Sequence, residues 1–272
     1  MPIAAPYFRY LRLLGFDSSP AGLEGLRALV RAHILRVPFE NISKLMLFHR
    51  EGKGRVTTLS EFLDGIEYHD LGGTCYTSNP YLFELLCAVG YDADLLAADM
   101  ATPDVHTSIR VRLESREYHI DVGYGAPFSE PMPLDQLPHE IRNGRFRYVL
   151  DCSSRPGAYE MAHWRGDERI HGYVVHEPPR DFSYFRRTVE DSFLPGRTFM
   201  TWLRIARFFD DHSVDLIDRT LTIHRGCCSR DYELTSVKEI RDAIDNEMGM
   251  PRCPVEEAVE VFERLNGKKF FA

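Results

Sequence analysis

The spacing of apolar residues changes near residue 91 from a helical period to a period of two, and one short stretch stands just before the change: Leu71-Gly72-Gly73-Thr74-Cys75-Tyr76. Two glycines free the backbone to turn sharply there. Leu82, Leu85, Leu86 and Val89 then follow at helical spacing as far as Gly90, which reads as a helix closed by glycine. Cys75 therefore belongs on the first turn of a buried helix. Unpaired N–H groups and the positive end of the helix dipole make that a place where cysteines become nucleophilic.

Upstream, Tyr7, Tyr10, Leu11 and Leu14 share one helical stripe, and a second helix is expected from Ser19-Pro20 through Leu23, Leu26, Val30 and Ile34 until Pro38 stops it. A third starts at Thr58, where Thr58 and Glu61 can form a capping box. Downstream, strands are expected over Asp94 to Met100, over 107–113 and over 118–122. Pro127, Pro131, Pro133 and Pro138 then impose a long loop. Between about 145 and 235 the pattern mixes turns with strand candidates at Tyr148 to Cys152 and Leu216 to Ile223. Ser236 and Glu239 box the start of a helix to Met248, and Pro254 to Leu265 forms a last amphipathic one.

Composition narrows the class. With 272 residues, 44% of them hydrophobic, the chain can bury a large core. A net charge of −8 with dispersed basic residues argues against nucleic acid, and Arg142, Arg145, Arg147 and Arg186-Arg187 read as solvated surface. No apolar run approaches a membrane span and the N-terminus lacks a signal-cleavage pattern, so a cytoplasmic protein without membrane contact is expected. Six irregularly placed cysteines (Cys75, Cys87, Cys152, Cys227, Cys228 and Cys253), with no CxxC pair, point to free thiols rather than disulfides or a metal site.

If the strand containing His106 and the strand containing Asp121 form an antiparallel hairpin, the register that sets Arg110 opposite Glu117 also sets His106 opposite Asp121, Ile109 opposite Tyr118 and Thr107 opposite Ile120. Opposed Cβ atoms lie about 5 Å apart, close enough for the carboxylate to hold one imidazole nitrogen and leave the other free. With Cys75 beside that nitrogen, a Cys-His-Asp triad for acyl transfer results. His69 and His119 are rival bases and Glu117 a rival carboxylate; taken singly, Cys75 reads as a small buried hydrophobe and His106 and Asp121 as strand-end surface residues.

The chain resembles the arylamine N-acetyltransferase family in Pro38-Phe39-Glu40-Asn41, in Gly72-Gly73-Thr74-Cys75-Tyr76 with Asn79 and the Leu85-Leu86, Val89-Gly90-Tyr91 tail, in His106 at a strand start, and in Asp121-Val122-Gly123-Tyr124-Gly125. The resemblance implies an α+β fold: an N-terminal helical bundle (1–90) carrying the nucleophile, a central antiparallel β-barrel (91–195) carrying histidine and aspartate, and a C-terminal α/β lid (196–272). It also implies a cysteine-protease-like core with Cys75, His106 and Asp121 as catalytic residues. The implied reaction is ping-pong transfer of acetyl from acetyl-CoA, through acyl-Cys75, to an arylamine, hydrazine or N-hydroxyarylamine, without a metal. Phe39, Val105, Gly123 and Tyr124 are the implied substrate contacts.

Two departures stand out. The family usually has an arginine where this chain has Leu71, and a glutamate where it has Thr77. Glu40 thereby loses its expected partners, so it either pairs with another cation or sits in a rebuilt floor, since an unpaired buried carboxylate is costly or becomes protonated. The same triad could serve an amide synthase using a carrier-bound acyl chain, or a thiol hydrolase; a degenerate binding protein is the non-enzymatic alternative. No P-loop or glycine fingerprint offers a site for CoA's phosphates, and the sequence carries no signature of oligomeric state.

Overall fold

A computed structural model describes residues 3–271. Five helices and one short strand come first: α1 (Ala5–Leu13), α2 (Gly22–Arg36), β1 (Phe39–Glu40), α3 (Ile42–Glu51), α4 (Leu59–His69) and α5 (Cys75–Ala88). The expected cap of α4 is present, with the Glu61 amide donating to Thr58 and the Thr58 amide donating to the Glu61 carboxylate. Ahead of α2 the chain stays extended at Ala21, so the helix begins at Gly22 rather than at Pro20; it stops two residues before Pro38.

The helix α3 has no counterpart among the sequence expectations. Its buried face carries Ile42, Leu45 and Leu47 but also Lys44, a charge that interrupts the apolar stripe by which helices are recognised. The Asn41 side chain before it is spent elsewhere: it donates to the carbonyls of Phe199 and Trp202 and accepts from the Arg204 amide.

Next come β2 (Asp92–Asp99), β3 (His106–Leu113), β4 (Arg116–Ile120), β5 (Met132–Pro133), β6 (His139–Asn143), β7 (Phe146–Cys152), β8 (Tyr159–Arg165) and β9 (Glu168–His176). They form an antiparallel sheet in the order β5-β4-β3-β2-β9-β8-β7-β6 that nearly closes into a barrel. The remaining elements are α6 (Arg186–Asp191), α7 (Thr198–Thr201), β10 (Arg204–Phe208), β11 (Ser213–Ile217), β12 (Thr220–Arg225), β13 (Cys228–Glu233), α8 (Val237–Asn246) and α9 (Val255–Asn266). A second antiparallel sheet, β1-β10-β11-β12-β13, reaches back to the strand between α2 and α3. The fold is thus α+β, helices followed by an antiparallel barrel and a further sheet with helices.

Two expectations about strands are corrected. In the β3–β4 hairpin Ile109 pairs with Ile120, Arg110 with His119 and Arg112 with Glu117, two residues away from the expected register. The turn decides this. Leu113 pairs with Arg116, leaving Glu114 and Ser115 as a two-residue loop with φ of 52° and 66°, a conformation easier for Ser and Glu than for Leu113, which the expected register would have put there. A slip of two preserves which side chains face the core, so the apolar face is unchanged. Leu216 to Ile223 is two strands rather than one, because Asp218, at φ 51°, turns the chain between β11 and β12.

Three apolar clusters hold these parts. One joins α1, α2, α4 and the middle of α5 to β3 and β4; a second packs α3, α8 and α9 on the second sheet; a third fills the barrel. Within the first, His33 is wholly buried against the Tyr10 hydroxyl, 2.7 Å away, with its Nε2 unpartnered. Burial pushes it down to about 3. His119, buried beside Tyr173, is pushed down to about 4 by burial. Both pKa values lie below those of the unfolded chain, so the unfolded state takes up protons first and stability falls as pH drops below about 6.5. Each histidine is expected to contribute up to about 1.4 kcal/mol per pH unit over that range. Urea unfolding of the protein and of His33→Gln at several pH values checks this: the variant should lose less stability on acidification, and parallel curves would contradict it.

Candidate active site

The approach of β1 to the double glycine builds the floor of the site. Phe39 bridges Gly73, and the Glu40 amide donates to the Gly73 carbonyl at 3.0 Å. Gly73 sits at φ 137°, which other residues rarely adopt, and the chain passes from it through Thr74 into α5. Cys75 is the first residue of that helix and 6% exposed. The amides of Thr77 and Ser78 both donate to the Thr74 carbonyl, while those of Cys75 and Tyr76 have no intrahelical acceptor.

His106, the first residue of β3, places its Nε2 2.8 Å from Asp121 Oδ2, and both side chains are within 2% of complete burial. The other ring nitrogen is left free of that bond, and the charge of Cys75 bears on the imidazole together with that of Asp121. The register slip does not separate the pair, because Asp121 lies beyond the end of β4, outside the paired register, and its side chain reaches His106. Asp121 Oδ1 accepts from the Gly123 amide and from Asn79 Nδ2, both at 2.9 Å. Asn79 stands one helical turn after Cys75; it also donates to the Thr107 carbonyl and accepts from the Val122 amide. Thr107 in turn donates to the Cys75 carbonyl at 2.7 Å. Cys75, His106 and Asp121 are thus tied by one asparagine and one threonine, Asn79 and Thr107. The signal for Asn79 was its i+4 spacing from Cys75.

The charges follow from this enclosure. Burial pushes the His106 imidazole down, but the Asp121 carboxylate and the Cys75 thiolate outweigh it and bring it up to about 10. Burial raises Asp121, and the opposing pull of His106, with the Asn79 hydrogen bond, takes it down to about 2. An imidazolium held by the buried Asp121 carboxylate is the arrangement favoured.

The rivals fall elsewhere. His69 is exposed at the end of α4, His119 faces Tyr173, and Glu117 faces Arg110 and Arg112. Glu40 is wholly buried without a cationic partner among the described residues; it accepts from the amides of Ser43 and Gly72 at 2.8 and 3.1 Å. Burial still leaves it raised, against the pull of those amides. The floor is therefore the rebuilt one: amides stand where a cation was expected, and Leu71 packs into the apolar cluster of α3. Thr77 Oγ1 donates to the Thr74 carbonyl.

Of the expected substrate contacts, Tyr124 lies edge-on to His106 with ring centroids 5.9 Å apart, and Phe39 lies against Gly125 and Phe199. The Val105 carbonyl accepts from Tyr76 at 2.7 Å, anchoring the chain just before His106. Gly123 touches Cys75 itself: a Cβ there would lie 2.5 Å from the Cys75 Cα.

Residues 22–251 match the family model described as N-acetyltransferase. The chain is 27% identical over 257 residues to an arylamine N-acetyltransferase of Mycolicibacterium smegmatis, an alignment spanning 89% of this chain and 90% of that one. Its fold is similar to that of the arylamine N-acetyltransferase of Mycobacterium marinum solved in complex with CoA (TM-score 0.80, 24% identity, 97% of this chain and 99% of that one). It is equally similar to the enzyme of Salmonella typhimurium (TM-score 0.80, 17% identity, 97% and 100% covered).

Because a Cβ at Gly123 would meet both Cys75 and Asn79, Gly123→Ala must shift the start of α5 and the loop that carries Asp121 relative to one another. Iodoacetamide alkylation of Cys75 at neutral pH, read by peptide mass, is expected to slow by about tenfold, the equivalent of one unit of lost thiolate stabilisation. An unchanged rate in a folded variant would contradict this geometry.

Proposed function

The chain belongs to the N-acetyltransferase family that includes the arylamine N-acetyltransferases and is an enzyme of that family, and from this premise we propose that it carries acetyl from acetyl-CoA to an arylamine, hydrazine or N-hydroxyarylamine through acetyl-Cys75. The observation that carries the proposal is the buried hydrogen bond from His106 to Asp121, which leaves the other imidazole nitrogen for Cys75.

In the first half-reaction the Cys75 thiolate attacks the thioester carbon, and the amides of Cys75 and Tyr76 are placed to receive the developing oxyanion. The C–S bond to CoA breaks, and the leaving thiolate takes the proton held on His106. Acylation removes the negative charge of Cys75, one of the two that hold the proton on the imidazole. His106 thereby changes from acid to base without moving. In the second half-reaction the amine nitrogen attacks acetyl-Cys75, His106 takes its proton, and the Cys75 thiolate leaves, restoring the ion pair and releasing the N-acetyl amine. Asp121 keeps the ring oriented throughout and stabilises its charged form. Phe39, Val105, Gly123 and Tyr124 are proposed as contacts of the acceptor; the aromatic ring of Tyr124 beside His106 suits a flat amine. The helical segment of residues 1–90 brings the thiol and the 91–195 segment brings base and carboxylate, while residues 196–272 cover them.

The protein incubated with acetyl-CoA alone is expected to gain a single acetyl group on the Cys75 peptide, lost on adding an aromatic amine with formation of its N-acetyl product. Cys75→Ala should abolish both steps. Acetyl transfer surviving that substitution, or prompt release of free acetate with no amine present, would contradict the proposal, the latter in favour of a hydrolase.

A further inference from the structure

Among the described residues Lys44 is the one lysine buried from solvent, at 7% exposure. Its ammonium has a single hydrogen-bond acceptor, Ser192 Oγ at 2.5 Å, and lies 4.0 Å over the Phe193 ring. No carboxylate among the described residues pairs with it. Glu40, four residues earlier, is turned to the Ser43 and Gly72 amides, and Arg55, which lines the same cavity, is itself paired with Glu51 and Glu61. A buried ammonium without a counter-ion is costly, so its presence asks what offsets it. The cavity it lines, of about 40 Å³, is walled by Gly73, Thr74, Tyr76 and Thr77, the residues on either side of Cys75.

We propose that Lys44 is a positioning residue for the nucleophile: its ammonium lines the cavity walled by the first turn of α5 and supplies a positive charge to the Cys75 thiolate in addition to that of His106. The proposal rests on the reading of Cys75 as the nucleophile. The titratable groups around the pair are few. Tyr76, on α5, is pushed up by burial and stays neutral; His106 and Asp121 approach from β3 and the glycine loop; Arg55, Glu51 and Glu61 neutralise one another; Glu40 is held by amides; and Ser192 and Phe193 bring no charge from the segment after α6. Burial lowers Lys44 to about 7, and the thiolate is the charge that works against that fall. The lysine is thus charged below about pH 7 and loses its effect above it.

The test is the pH profile of Cys75 alkylation by iodoacetamide, followed on the Cys75 peptide because other cysteines are exposed, in the protein, in Lys44→Met and in Lys44→Arg. Methionine fills the same space without charge, and replacing a buried charge by an apolar isostere is commonly tolerated. In Lys44→Met the rate is expected to fall about tenfold near pH 6 and to match the unaltered protein near pH 9, with Lys44→Arg restoring the low-pH rate. Superimposable profiles, or a slowing that is the same at every pH, would overturn the role of Lys44 while leaving Cys75 as nucleophile intact. A Cys75 that fails to react in the unaltered protein at any pH would overturn the nucleophile reading, and this proposal with it.

Discussion

The site depends on one buried hydrogen bond, from His106 Nε2 to Asp121 Oδ2. Neither residue belongs in an apolar interior alone: a neutral imidazole and a protonated carboxyl would each be cheaper to bury. Paired, they become a fixed dipole of charges whose outer end meets Cys75. Three elements must converge for this to happen: the start of α5, the start of β3 and the chain leaving β4. Asn79 joins all three, and Thr107 fastens β3 to the backbone of Cys75. The glycine at 123 is what allows the last of them to come so near. Helix, barrel strand and loop are locked at the one point where the chemistry needs sub-ångström order.

A second constraint is the balance of buried charge under α5. Glu40 is satisfied by amides rather than by a cation, and Lys44 is left without a carboxylate. Two opposite charges four residues apart on one segment thus avoid each other, each committed elsewhere. The segment linking β1 to α3 makes this possible by turning the Ser43 amide onto Glu40. The consequence is that an unpaired positive charge on α3 lines the cavity walled by the first turn of α5.

What the sequence revealed and what it concealed divide along physical lines. Capping of α4, the glycine-led start of α5 and the faces of β3 and β4 follow from local rules, and they were legible because the residues that decide them are adjacent in the chain. The β3–β4 register differs by two from the one the Arg110–Glu117 pair favours, because the turn decides it and the Glu114-Ser115 loop lacks the glycine or asparagine that marks such turns in a sequence. Arg110 instead reaches Asp94 and only approaches Glu117 at 3.7 Å. The helix α3 was hidden by Lys44 itself, a charge on an inward face. The pairing of β1 with β10 joins residues more than 160 positions apart, and no local pattern encodes it. The layer around the site, Asn79, Thr107 and Lys44, belongs to this long-range class: each makes contacts that exist only once the chain has closed.

The most direct test of the account is the protonation of His106, read by NMR of protein labelled with nitrogen-15 in its histidines, before and after Cys75 is capped. The account predicts that both ring nitrogens of His106 carry protons at neutral pH in the free enzyme, and that capping Cys75 with an uncharged group lowers the pH at which one proton is lost. A His106 that is neutral at pH 7 in the free enzyme, or one indifferent to the state of Cys75, would mean that no thiolate–imidazolium pair exists, and the site described here would not work as an acyl-transfer centre.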